Sequence, residues 1–305
     1  MLSETKVPAG PHLHQRLHSE KIIMKITCLG TGSPEPHKRR ASSGYLIEIG
    51  DDRILFDCGG GVVDRLIQSG RLPSDITHLF FTHLHTDHMM DYARLVHAAW
   101  DEGAQPLKVF GPAPIAAITD RYFGSEGALA FDLVARTQLK GSQDVWRARG
   151  GTLPRPWPQP IVTEVEPGFT STGKGWTLSS CSVPHAQPYL TCMAFKIEAG
   201  GKAFVFSGDA ALCPDLESLS QDADLLIHWC YRRSSEVTYA FIVKTSPSAD
   251  EIAAMAERAG VKQLLLTHIR KHMDTDAIHD ELNSELSAHF SGSSAIAEDL
   301  MEIQL

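Results

Sequence analysis

Short apolar runs recur along the chain and alternate with stretches that carry apolar residues at helical spacing. Runs at 22–30 (IIMKITCLG), 44–50 (GYLIEIG) and 53–57 (RILFD) predict strands, and 61–69 then reads as a helix. THLFFT at 77–82 predicts a further strand, followed by a helix from about Met89 to Ala99. Residues 107–110 (LKVF) stop at Gly111-Pro112, a turn signal. The stretch 113–150 has a largely helical pattern, and 150–160 (GGTLPRPWPQP) is a proline-rich connector. Strand patterns resume at 161–166, 176–183, 190–198 and 203–207, and again in the apolar run DLLIH at 224–228.

The sharpest local signal comes late in the chain. Ser248 and Glu251 form a capping-box signature that opens a helix running to about Ala259, with Gly260 as its stop. VKQLLLT at 261–267 then predicts a buried strand that ends at His268. Locally paired strands with helices between them, in two halves of the same mix, predict an α+β fold: a four-layer αββα sandwich. Residues 1–20 are polar and read as a mobile lead-in. Residues 21–305 read as one domain with a helical insertion at about 113–160.

Composition narrows the function classes. Hydrophobic residues make up 43% and charged residues 21% of the 305, which is enough for a large core. Lys and Arg number 28 against 37 Asp and Glu, a net charge of −9. Proteins that grip nucleic acid through its phosphates carry the opposite balance, so nucleic acid is not the expected partner. The basic run Lys38-Arg39-Arg40 reads as surface charge. No stretch approaches the roughly 20 apolar residues a membrane-crossing helix needs, and the N-terminus shows no apolar signal core. Six cysteines, at 28, 58, 181, 192, 213 and 230, form no C-x-x-C pair and read as buried thiols of a reducing compartment. A cytoplasmic protein without a membrane partner is the expectation.

One string carries chemistry. In FTHLHTDHMMD, His83, His85, Asp87 and His88 fall within six residues, directly behind Leu79-Phe80-Phe81. Along an extended chain, residues two apart point the same way. His83, His85 and Asp87 therefore converge past a strand end, while His88, at the start of the next helix, approaches from another angle. Such a set suits two adjacent metal ions better than one, and imidazole with carboxylate suits zinc, manganese or iron. Two ions need further ligands. His185 after Pro184, Asp209 in FSGDA and His268 after QLLLT each place a ligand-capable side chain at the end of an apolar run.

The order H-x-H-x-D-H, then His, then Gly-Asp, then His at a strand end resembles the metallo-β-lactamase superfamily of hydrolases. Within it, the ribonuclease Z and arylsulfatase-like branch is the nearer likeness. The supporting strings are LGTGSPEPHKRRASSGYLIEI from 29, ILFDCGGG at 54–61, THLHTDH at 82–88, SGDA at 207–210, ADLLIH at 223–228 and LLLTHI at 264–269. The resemblance implies the αββα sandwich and a partition of ligands. His83, His85 and His185 would hold one divalent ion, Asp87, His88 and His268 the second, and Asp209 would bridge them, with a hydroxide between the ions. Zinc is the first expectation, with manganese or iron as alternatives. Asp57 is expected to orient the ligand loop, and Asp87 to steer the nucleophile's proton as well as bind metal. His228 resembles the branch's catalytic histidine, a general acid for the leaving group. There the usual continuation is His-Glu-Ala; here it is His228-Trp229-Cys230, and the missing Glu leaves that acid without its partner.

The implied activity is that of a binuclear metal-dependent hydrolase cleaving a phosphodiester or similar small ester. An arylsulfatase or lactonase is the alternative, and a mononuclear iron dioxygenase of the same fold is the alternative from another class. Superfamily oxidoreductases with two irons carry Glu where His85 stands, which favours hydrolysis. Members that process tRNA carry a long arm between the ligands matching His185 and Asp209; here only 23 residues separate them, so tRNA maturation is not expected. The extra length falls at 113–160, where Tyr122, Phe123, Phe131, Trp146 and Trp157 form either a lid over a small organic substrate, a dimer contact or ordinary packing. Relatives of this branch are often dimers, so a homodimer is carried as an expectation. Arg270, Lys271 and His272 read as a solvated charged loop.

Overall fold

A computed structural model describes residues 22–305; the lead-in expected at 1–20 lies outside the described residues. The apolar runs become strands. One sheet takes β1 (Met24–Gly30), β2 (Gly44–Ile49), β3 (Asp52–Phe56), β4 (His78–Phe80), β5 (Lys108–Gly111) and β6 (Ile161–Glu164). The other takes β7 (Thr170–Gly173), β8 (Trp176–Ser182), β9 (Met193–Ala199), β10 (Lys202–Phe206), β11 (Leu225–Trp229), β12 (Gln263–Thr267) and β13 (Ser293–Ile296), and β14 (Glu302–Gln304) returns to the first. Their orders are β14-β1-β2-β3-β4-β5-β6 and β13-β12-β11-β10-β9-β8-β7. β1 to β3 pair antiparallel and β3 to β6 parallel. The second sheet repeats this, antiparallel from β7 to β10 and parallel from β10 to β13.

Successive side chains of a strand point to opposite faces, and here both faces are covered. β3 sends Ile54 and Phe56 toward the other sheet and Leu55 toward helices; β10 divides Phe204 and Phe206 from Val205 in the same way. Strands buried on both sides need no polar face, which is why they read as unbroken apolar runs. Between the sheets, Phe80, Phe195, Phe204 and Phe206 surround Phe56 at ring distances of 6.0, 5.3, 6.0 and 6.3 Å. Helices Val62–Gln68, Tyr92–Asp101 and Ile115–Phe123 cover the first sheet. Helices Pro214–Leu219, Ala249–Arg258 and Asp276–His289 cover the second. The α+β fold is thus the four-layer αββα sandwich.

Several expectations shift in detail. The helix expected from Met89 breaks into Thr86–Met89 and Tyr92–Asp101. The break falls where Asp91 is tied elsewhere: its carboxylate accepts the backbone N–H of Gly61 and of Val63, both at 3.0 Å, and caps the helix that begins at Val62. The strand expected from Leu190 begins only at Met193, because residues 186–190 close a turn through Tyr189 N–H to Ala186 O at 3.0 Å. The helix after Ser248 is confirmed, with the Ser248 N–H donating to Glu251 Oε2 at 2.9 Å and Gly260 at φ +66° ending it. Arg40, expected on the surface, is buried and donates to Asp274 at 2.9 Å.

The insertion is helical at Ile115–Phe123, Ala130–Gln138 and Lys140–Ala148. The proline-rich connector then folds back: Trp100 Nε1 donates to Pro156 O at 2.8 Å, and the Arg155 guanidinium lies 3.8 Å over Trp100 and 4.5 Å over Trp146. The Trp157 indole donates to Phe123 O. These are packing contacts within the insertion and its neighbouring helix; of the five aromatic residues only Phe131 projects into solvent. All six cysteines are free thiols. Among the described residues no helix is long and apolar enough to cross a membrane.

Phe56→Ala is expected to destabilise the protein by about 3–5 kcal/mol, the usual loss for a large core aromatic. Equilibrium denaturation checks this: the midpoint should fall with little change in slope, and a loss below about 1 kcal/mol would contradict a central position for the ring.

Candidate metal centre

Five strands end on the same edge of the sandwich. β3 and β4 run parallel in one sheet, and β10, β11 and β12 run parallel in the other. Their C-terminal ends are where open α/β sheets place their sites. Past β3 comes Asp57, past β4 the segment from His83 to His88, past β10 Asp209 and past β12 His268. His185 arrives from the antiparallel β8 through Val183-Pro184, and Ala211 N–H to Pro184 O at 2.9 Å joins its loop to that of Asp209.

Local chemistry fixes these loops. Asp57 sits at φ +58°, and its carboxylate accepts the Thr82 N–H at 2.9 Å and the Ser43 hydroxyl at 3.2 Å. It also accepts the Thr82 hydroxyl and lies 2.7 Å from His88 Nδ1. Cys58 N–H donates to His88 O at 2.7 Å, which draws the two segments together. Gly59 permits that approach, since a Cβ there would lie 2.0 Å from Asp87 O. Gly208, at φ +56°, turns the chain into Asp209 with no room for a Cβ, which would fall 2.9 Å from the Thr82 side chain.

All seven predicted side chains meet, in two groups. His83 Nε2 and His185 Nε2 stand 3.0 and 3.2 Å from His85 Nδ1. In the second group, His268 Nε2 lies 3.1 Å from Asp87 Oδ2 and 3.3 Å from Asp209 Oδ2. His88 Nε2 is 3.6 Å from Asp87 Oδ2 and 3.5 Å from Asp209 Oδ1. Asp209, of the second group, also reaches toward the first: its Oδ2 lies 3.6 Å from His185 Nε2. Each group offers ligand atoms close enough to share one metal ion.

The electrostatics suit cations. Burial pushes the imidazoles of His83 and His185 below their ordinary values and leaves neutral lone pairs. Burial also opposes ionisation of Asp209, but His268 and His88 outweigh it and hold the carboxyl well below the usual range. Asp87 behaves likewise, lowered by its hydrogen bond from His268 and by His88 against the effect of burial. His88 loses from burial and gains more from Asp209 and Asp57, so its value rises. His88 Nε2 is buried and has no hydrogen-bond partner. A polar atom left so costs about 1–3 kcal/mol, and a bound cation would remove that cost. The donor set of imidazole and carboxylate fits a divalent ion.

His228 is placed differently from its expectation. Leu226 faces the helix layer and Ile227 the other sheet, so alternation turns His228 toward the helices. Its Nδ1 bonds to Trp229 O at 2.7 Å, and burial pushes its value down to about 4. The ring makes no hydrogen bond to any of the seven. Trp229 takes the facing position: its ring centroid lies 5.2 Å from that of His185 and 6.1 Å from that of His268. Alternation in LLIHW separates Trp229 from His228, and the packing of Leu226 and Ile227 decides which of the two faces the site. Arg270, expected in a solvated loop, lies 4.2 Å over Tyr231 and donates to Glu236 at 2.5 Å.

Comparison with known proteins agrees with this geometry. A family model described as "Beta-lactamase superfamily domain" matches residues 52–269. Ribonuclease Z of Mycobacterium sp. (strain KMS) is 28% identical over 256 residues, covering 81% of this chain and 84% of that protein. The metallo-beta-lactamase fold protein YhfI from Bacillus subtilis superposes with a TM-score of 0.71 at 24% identity, over 93% of this chain and 100% of that one. Zn(2+)-bound PqqB from Methylobacterium extorquens gives 0.65 at 15% identity, over 92% and 100%. The structural likenesses show the shared fold. The family match is broader in meaning: it runs from the first residue of β3 past the last of the seven side chains, and the chain belongs to the beta-lactamase superfamily.

Proposed function

We propose that the protein is a hydrolase that cleaves a phosphodiester or similar small ester with two divalent metal ions, zinc first among them. The observation that carries this is Asp209, whose Oδ1 faces His88 and whose Oδ2 faces both His268 and His185. One carboxylate reaching both groups is what a bridged pair of ions requires. His83, His85 and His185 would hold one ion, and Asp87, His88 and His268 the other. When bound, such ions bring the pKa of water from 15.7 toward about 7 and polarise the oxygen under attack. Asp87, kept ionised by His268 and His88, steers the proton of the attacking water. Asp57 fixes the ring of His88 through Nδ1, as carboxylates behind ligating imidazoles do. Six free thiols fit a reducing, cytoplasmic setting.

A small ester is favoured over RNA by the interval between His185 and Asp209. It is filled by the turn at 186–190 and the hairpin of β9 and β10, joined at Gly200-Gly201, and holds no arm. The net charge of −9 points the same way. RNA cleavage is the second reading, favoured by the 28% identity to a protein named Ribonuclease Z.

Asp209→Ala should lower bound metal from two ions per chain to one or none and abolish turnover of bis(p-nitrophenyl) phosphate; elemental analysis beside the rate assay checks both, and full metal content in the variant would remove the bridge. Asp57→Asn keeps the side chain's size but weakens its hold on His88, so metal affinity should fall about 10–100-fold, read by competition with a chromogenic chelator. Turnover of the phosphodiester with no cleavage of a tRNA precursor supports the first reading, and the reverse pattern supports the second.

A further inference from the structure

We propose that Trp229 makes the two metal positions unequal, keeping the ion at Asp87, His88, Asp209 and His268 the more weakly held. This rests on the two-metal reading above. Trp229 Nε1 lies 3.2 Å from His268 Nδ1. An indole N–H can only donate, so in the neutral ring His268 Nδ1 accepts and the proton sits on Nε2. That proton points at Asp87 Oδ2, 3.1 Å away, and Asp209 Oδ2, 3.3 Å away. It therefore occupies the direction in which a ligating lone pair must point.

A ligating imidazole carries its proton on the far nitrogen and donates it to an acceptor. His88 has such an acceptor in Asp57 at 2.7 Å, and His83 Nδ1 has the Thr82 hydroxyl at 3.1 Å. His268 would instead turn an N–H toward another N–H. The indole has little freedom to yield. Trp229 is 3% exposed, its ring lies 5.4 Å from that of Tyr231, and Tyr231 is backed by Arg270, itself held by Glu236. Loading the second position therefore sacrifices the Trp229–His268 hydrogen bond and leaves two donors without acceptors. Loading the first position disturbs neither.

Titration of chelator-stripped protein with zinc tests this. Two steps are expected, the second about tenfold or more weaker than the first, which is the scale of effects from partners behind a ligand. Nitrogen chemical shifts of His268 should change from the Nε2–H to the Nδ1–H form in the second step only. The Trp229 indole proton, assigned by its loss in Trp229→Phe, should move upfield in that same step. In Trp229→Phe the second step should tighten about tenfold while the first stays in place, which also shows that the variant is folded. Equal affinities in the wild type overturn the inference. So does an indole signal indifferent to zinc, or a second step that Trp229→Phe leaves unchanged. Failure of the wild type to bind any zinc overturns the two-metal reading itself, and the inference with it.

Discussion

The carboxylate of Asp57 is the contact on which the site's geometry depends. It joins the end of β3 to Thr82 and to His88, at the two ends of the segment that carries four of the seven converging side chains. The position demands a left-handed backbone at φ +58°, which Asp tolerates better than most residues. Without that anchor, His83, His85, Asp87 and His88 would ride on a free loop. With it, they form a fixed half-shell that the other three complete. The anchor is buried, so its hydrogen bonds with Ser43, Thr82 and His88 compete with no water.

The sandwich supplies the second requirement, which is alignment. Parallel strands in each sheet end at one edge, and the phenylalanine cluster around Phe56 holds the sheets at a fixed spacing. A side chain placed within three residues of a strand end is then confined to a small region. This is why His268, distant in sequence from the histidine string, can lie 3.1 Å from Asp87 and 3.3 Å from Asp209.

Much of this was legible in the chain. Doubly buried strands leave continuous apolar runs, the Ser248–Glu251 box marks a helix start, and ligands follow strand ends. Other parts left weak signals. Helix Asp276–His289 buries only Leu282 and Leu286, so its apolar stripe is too thin to register. β7, β13 and β14 are three or four residues long and mostly polar. The facing of His228 and Trp229 was readable from alternation, but only once the sides of β11 were known from its partners. The break at Asp91 depends on a bond to a segment about thirty residues earlier, which local pattern does not carry.

The seven side chains come from both sheets: His83, His85, Asp87 and His88 from the first, and His185, Asp209 and His268 from the second. Each group mixes the two origins. A cation lodged in either group is consequently a rivet through the layers as well as a reagent. Metal-starved protein would part first along this rim, since ligand bound only to the folded form adds its binding energy to the fold. An ion held there would therefore add to the stability of the fold as well as to the chemistry of its edge.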